Sequence, residues 1–252
     1  MQSVCCRSAR GAADRRGWAR HQHFGLRSEW LDLYLEHPHE WASAGTLGLR
    51  QVQSLSVWLW TCGLVDRSGT ETALMGLFRA SWPAADLAWQ LLWANVTFRF
   101  ATASWYVTEM GLGSWTTTEL RRALQAAVPH LSPRNLANGI MELVGLLERT
   151  PIGSVWGQGQ VSATRPRRVV RRGLASPSPT ALAHAMRLAF MMEGRGMLSL
   201  DESTQWPWVV YGCDRDDALA LLSGRREGWI RFDEDTVHCC IPLEALAYVR
   251  LF

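Results

Sequence analysis

The sequence predicts a mainly α protein with short β-hairpins. It is expected to consist of winged helix-turn-helix-like modules around a long buried helix, with a small helical C-terminal domain of α+β type. Three observations carry this expectation. Apolar residues recur at helical spacing in a series of segments that begin with capping residues. The run from Leu87 to Thr108 is apolar nearly all round, as a buried central helix must be. Alternation of period two is confined to short stretches beside Gly and Asp turns. With 252 residues, 48% of them apolar and 14 of them Trp, the chain is long enough to bury a sizeable core, most simply as two small domains.

The first helix is expected over Arg27 to Glu36, with Leu26, Trp30, Leu33 and Tyr34 as its apolar stripe. A second runs from about Leu49 to Cys62, with Val52, Leu55 and Leu59 facing inward and Gly63 in the stop position. Arg50, Gln51 and Gln53 then remain free for solvent or a partner. Leu64–Val65 and the turn Asp66–Gly69 follow, in the order that a winged helix-turn-helix shows after its recognition helix. Pro83 is placed at the start of the long buried helix, which is expected to reach about Met110.

Thr116–Glu119 has the spacing of a capping box for a helix carrying Leu120, Leu124 and Val128. Ser132–Pro133 opens the next, whose buried stripe is Leu136, Ile140, Leu143, Val144 and Leu147 while Arg134, Asn135 and Asn138 face outward near its N-terminus. This pair is the better helix-turn-helix candidate. Ser178–Pro179 begins another helix, Asp214 to Leu222 one more, and Trp229–Phe232 with Thr236–Ile241 reads as a hairpin around Asp233–Asp235. The expected organisation is a flexible basic extension over 1–20, a helical DNA-binding domain over 21–152, a basic linker or loop over 153–178 and a small α+β domain over 179–252.

All 26 basic residues are Arg, and the net charge of +3 conceals their distribution. Residues 1–27 hold six Arg against one Asp and residues 149–192 seven Arg and no acid, whereas 28–148 sum to −4 and 193–252 to −5. Guanidinium groups pair with phosphate through a planar fork of donors, so basic blocks on an otherwise acidic chain point to a polyanion such as DNA. The cluster Arg165, Arg167, Arg168, Arg171 and Arg172 is expected to clamp phosphates, and Arg134, Asn135 and Asn138 to reach base edges. The six cysteines have no zinc spacing, which fits a reducing, cytoplasmic compartment. Arg99 near the middle of the apolar run argues against a membrane span. No P-loop, GxSxG or dinucleotide fingerprint occurs, which disfavours a nucleotide-driven motor or a serine hydrolase.

Residues 21–40 are the densest group of metal-ligand types. Glu29, Asp32 and Glu36 fall at i, i+3 and i+7 on one helix face, where carboxylates can hold Mg or Mn and activate water for phosphodiester cleavage. His23, Arg27, Glu29 and Asp32 are the corresponding catalytic candidates. A solvated acidic face with scattered histidines would have the same appearance.

Over His23–Leu31, then Leu47–Gly48–Leu49, the Trp58–Leu59 helix ending at Cys62–Gly63–Leu64, and Asp86 to Asn95, the chain resembles a bacterial family that accompanies DNA phosphorothioation enzymes. The pattern aligns onto His23, Arg27 and Trp30; where the family has a second glycine near the start of the second helix, Arg50 stands here. The resemblance implies a component of single-stranded phosphorothioate modification, an antiphage defence system. It would nick one DNA strand so that sulfur can replace a non-bridging phosphate oxygen. Implied partners are DNA, a cysteine desulfurase, an ATPase and a sulfurtransferase-like ATP pyrophosphatase; a homodimer is compatible with the sequence. Two other readings compete with a nickase: a non-catalytic winged-helix DNA-binding regulator, and an adaptor that docks the sulfur-transfer enzymes through the acidic surface of 193–252.

Overall fold

The computed structural model describes residues 17–249 except 83–84, 203 and 225–227. Residues 1–16 of the expected extension, and the expected helix start at Pro83, lie outside the described residues. The extension ends earlier than the sequence suggests, because Trp18 is buried and its carbonyl accepts a hydrogen bond from Thr102 Oγ1 at 2.8 Å.

Helices α1 (Ser28–Glu36) and α2 (Leu49–Thr61) have the expected bounds. Gly63 ends α2 at φ +76°, and a Cβ there would lie 2.6 Å from Asn95 Nδ2, so the stop needs glycine twice over. The strand expected next is a single bridge between Val65 and Glu71, around a turn in which Asp66 Oδ1 accepts the backbone N–H groups of Ser68 and Thr70. Helix α3 (Ala73–Ser81) follows at once, so no wing forms after α2. The Asp side chain satisfies the turn locally and leaves too little chain for a second strand.

The central helix is α4 (Asp86–Arg99), in which every residue from Ala88 to Thr97 is buried. It does not run on to Met110. Phe100 adopts an extended backbone (φ −114°, ψ 108°), after which α5 (Ala101–Trp105) and a π-helical turn (Tyr106–Met110) complete the segment. The break is held from outside: the Arg20 guanidinium donates to the Arg99 carbonyl, and the Phe100 ring packs edge-on against His21 and Trp58.

Strand β1 (Gly113–Thr116) leads into α6 (Thr117–Ala127) through the expected capping box: Thr116 Oγ1 accepts from Glu119 N at 3.1 Å and Glu119 Oε2 from Thr116 N at 2.6 Å. Ser132 caps α7 (Pro133–Arg149), the short α8 (Pro151–Ser154) follows, and then come β2 (Gln160–Val161) and β3 (Arg168–Arg171). These strands form one antiparallel sheet in the order β1-β3-β2, with Gly113 opposite Arg171 and Gln160 opposite Val170. The segment 153–178, expected as a linker or loop, therefore supplies the central strand of a sheet. Its alternation is too short to stand out among the arginines.

The C-terminal part contains α9 (Pro179–Glu193), β4 (Met197–Ser199), α10 (Pro207–Tyr211), α11 (Arg215–Ser223), β5 (Ile230–Asp233) and β6 (Thr236–Cys239), then a 3-10 turn (Leu243–Tyr248). The expected hairpin is β5–β6, with β4 on its other side. Helix α9 packs along α4, Trp93 Nε1 donates to the Val210 carbonyl, and Tyr211 Oη donates to the carbonyls of Gln90 and Ala181. One buried apolar cluster extends from Trp18 to Leu246, so the residues on either side of 153–178 share a core.

Two buried charges hold these parts in register. Glu142, on α7, accepts from the backbone N–H groups of Arg20, His21 and His23 at 3.0–3.2 Å and from His21 Nδ1 at 3.0 Å. Gln22 and His23 take positive φ (53° and 70°) to aim those amides at the carboxylate, and Gly25 then lies against Gly145, where a Cβ would meet backbone at 2.2 Å. Residues 18–25 thus form a strap across α7. Arg171, expected on a DNA surface, instead points inward and is 2% exposed. Its guanidinium donates to Gln158 Oε1 and to the carbonyls of Val107, Gly111, Val209 and Val210 at 2.8–3.3 Å, and burial lowers its pKa to about 10. Five acceptors leave no role for a phosphate.

Arg171→Met is expected to destabilise the fold by about 3 kcal/mol, because the carbonyls it serves lose their charged donor in a buried place. Urea unfolding measures this; a loss under about 0.5 kcal/mol would refute the tie. A second expectation concerns pH. Burial holds both His21 and His184 below the ordinary histidine value of 6.5, so both are neutral when folded while the unfolded chain takes up protons there. Stability is therefore full above about pH 6.5 and falls as pH drops through that value. Urea midpoints at pH 8 to 5 should show the fall, and His184→Gln should reduce its slope.

Candidate nucleic-acid interface

The unit α6–turn–α7, with β1 before it and β2–β3 after it, presents the arginines that remain on the surface. Arg121 and Arg122 are exposed on α6, and Arg134 and Asn135 are exposed at the N-terminus of α7. Asn138, expected beside them, is only 8% exposed and faces the protein. Further along the same face of α7, Met141 is 42% exposed and Glu148 lies in the last turn. These positions recur every seven residues from Arg134, so they form one stripe.

The loop 162–167 between β2 and β3 lies at the far end of this stripe, about 21 Å along the helix from Arg134. Arg165 and Arg168 are exposed, and Arg168 Nε donates to Ser114 Oγ at 3.2 Å. Arg167 is half-buried and pairs with Glu148 at 2.5 Å, which anchors the loop against α7. The Thr117 amide donates to the Arg167 carbonyl, tying the same loop to the start of α6. Between loop and helices lies a groove of about 340 Å³ lined by Thr117, Arg121, Ile140, Met141, Glu148 and Arg167. Arg172, just past β3, is exposed. Arg50 and Gln53 are exposed on α2, outside this unit, and Gln51 Oε1 is used to cap Gly48 N at 2.9 Å.

The acidic candidates do not gather. Asp32 Oδ1 accepts from Trp82 Nε1 at 2.8 Å, Glu29 and Glu36 are exposed, and among the described residues no three of His, Cys, Asp and Glu converge as metal ligands. Glu29, Asp32 and Glu36 thus form no convergent ligand group here, and Trp82 holds one oxygen of the middle carboxylate. Arg27 stacks over Trp30 at 5.2 Å, and His23 is exposed, with only its backbone N–H engaged by Glu142. The histidine that the structure uses is His21. Its Nδ1 meets Glu142 and its Nε2 meets Thr61 Oγ1 at 3.1 Å, in the order carboxylate–imidazole–hydroxyl of a nucleophilic triad. All three are at most 1% exposed, and the ring is stacked on Trp58 at 3.6 Å, so no substrate reaches the hydroxyl. The arrangement positions the strap.

Sequence reasoning missed Arg121 and Arg122, although two adjacent arginines behind a capping box were a signal. It also missed Arg20, Arg67 and Arg99, which gather around Trp60 from three separate segments and carry no local pattern.

No family model and no curated protein matches the chain. Two solved structures do. A crystal structure of SspB is 15% identical, with a TM-score of 0.66 over 95% of this chain and 88% of that one. A magnesium-bound crystal structure of SspB is 14% identical, with a TM-score of 0.64 over 96% and 88%. From the strap to the C-terminal hairpin, the chain has the fold of SspB.

Proposed function

We propose that this chain is the DNA-binding component of a phosphorothioate modification system, and that it seats duplex DNA on a winged helix-turn-helix. The observation that carries the reading is topological. The order α5, β1, α6, α7, β2, β3, interrupted only by the π-helical turn before β1 and the single turn α8 before β2, with the sheet ordered β1-β3-β2, matches a winged helix whose wing is the β2–β3 loop. In this reading the N-terminus of α7 brings Arg134 and Asn135 to the groove, while Arg121, Arg122, Arg165 and Arg168 contact phosphates on either side. The SspB fold and the resemblance, which runs from about residue 21 to 250 and is strongest over 21–150, support the modification system as its setting; the sulfur-transfer enzymes and an ATPase are the partners that setting implies.

Strand nicking is a second reading, favoured by the same resemblance. Since Glu29, Asp32 and Glu36 form no ligand set, no metal-assisted step is assigned to them. Incubation with supercoiled plasmid, with and without magnesium or manganese, separates the readings. Relaxed circles support a nickase, and their absence under every condition supports a binder.

Duplex binding is tested by fluorescence anisotropy across a salt series. Arg121→Ala with Arg122→Ala should weaken binding similarly on all sequences and lower the log–log salt slope by about one per arginine removed. Arg165→Ala with Arg168→Ala should do the same, while Asn135→Ala should alter sequence preference. Unchanged affinity in both arginine pairs would remove the winged-helix reading.

A further inference from the structure

Three guanidinium groups surround one indole beside the strap. Arg20, Arg99 and Arg67 lie 4.8, 5.7 and 6.0 Å from the ring centroid of the half-buried Trp60. They come from the strap, the end of α4 and the turn after α2, and their convergence depends on the fold. Among the described residues none of the three is in an ion pair. Arg20 Nε is buried with no hydrogen-bond partner, and Arg99 spends Nη1 on the Trp60 carbonyl. The one acid in the cleft is Asp66, whose Oδ1 is occupied by the Ser68 and Thr70 amides. Burial lowers the pKa of both Arg20 and Arg99; Glu142 partly offsets this at Arg20, while repulsion from Arg99 adds to it at Arg20 and repulsion from Arg67 adds to it at Arg99. Three guanidinium groups against the single carboxylate of Asp66 leave the lining of the cleft net cationic.

The cleft bounded by these residues measures about 510 Å³. Trp60, Val65, Asp66 and Arg67 are also walls of a neighbouring cavity of about 670 Å³, to which Tyr34 and Trp41 add two aromatic rings. Trp60 and Arg67 thus stand between a cleft rich in guanidinium groups and one rich in aromatic rings. A phosphate fits the chemistry of the first and a planar base that of the second, and the two are adjacent, as they are in a nucleotide.

We propose that the Arg20–Arg67–Arg99–Trp60 cleft binds one nucleotide unit of single-stranded DNA, with its phosphate among the guanidinium groups and its base against Trp60. The site deepens the DNA-binding reading and rests on it only for the source of the nucleotide. It lies on residues other than the α6–α7 and loop arginines, so a single strand and a duplex would use different surfaces of one protein.

The test uses the full chain with a fluorescent ten-nucleotide thymidine strand, the same strand with abasic sugars, a free mononucleotide and a duplex. Arg67 is exposed and Trp60 half-buried, so the variants are Arg67→Ala and Trp60→Leu, each checked for an unchanged far-ultraviolet spectrum. Arg67→Ala should weaken the thymidine strand and the abasic strand alike, while Trp60→Leu should weaken the thymidine strand about tenfold and leave the abasic strand unchanged. Duplex binding should survive both and be lost instead in the Arg121→Ala, Arg122→Ala pair. Equal loss of duplex and single strand, or no loss of single strand in Arg67→Ala, would overturn the proposal. If Trp60→Leu does not fold, Arg67→Ala and the abasic comparison decide alone. Tight binding of the mononucleotide with no gain for the strand would assign the cleft to a free nucleotide and overturn its assignment to DNA. Loss of duplex binding in the Arg121–Arg122 pair with the thymidine strand retained would leave the cleft standing apart from the winged helix.

Discussion

The Glu142 carboxylate is the constraint on which the rest of the structure depends. A buried carboxylate is stable only where donors replace its water, and this one takes three backbone amides and an imidazole from a single stretch of chain. To supply them, two consecutive non-glycine residues enter the left-handed region, at a cost of about 1–2 kcal/mol each. The return is a strap locked across α7 from one side. Ser54 and Trp58 of α2 then bond the strap's carbonyls at His21 and Phe24, so that α2 and α7 are fixed through it. What α7 has left for a partner is the exposed stripe beside the strap, from Arg134 to Glu148.

The arginines divide by the same physics. Where backbone carbonyls surround a buried guanidinium, as at Arg171, the charge is neutralised by dipoles and the side chain is a structural bolt between β3, the π-turn and α10. Where an ion pair fixes one, as Glu148 does Arg167, the arginine sets the pose of a loop. Where neither happens, as at Arg121, Arg122, Arg165 and Arg20, unused donors remain for an anion. A count of arginines per segment cannot make this distinction, since Arg171 and Arg172 are adjacent and end in opposite surroundings.

Much of the local structure was legible in the sequence because its causes are local. The capping box at Thr116–Glu119, the Ser132–Pro133 start and the β5–β6 hairpin follow from residues within ten positions of one another. The sheet through 160–171 was not legible, since its strands are two and four residues long and β1 lies some fifty residues away. The interruption at Phe100 was hidden for a similar reason: it is stabilised by Arg20 and His21, which no periodicity links to it. The acidic face of α1 showed the opposite failure. Its spacing is right for a shared helix face, yet Trp82 arrives from α3's end and takes the central carboxylate.

The same reasoning connects the two proposed nucleic-acid sites. Arg20 is in the strap: its amide bonds Glu142 on α7, while its side chain caps Arg99 and reaches the Trp60 cleft. One residue thus joins the helix proposed to meet the duplex and the pocket proposed to take an unpaired nucleotide. The cleft and the seating of α7 therefore rest on the same strap, so the geometry of both depends on the amides that Glu142 holds.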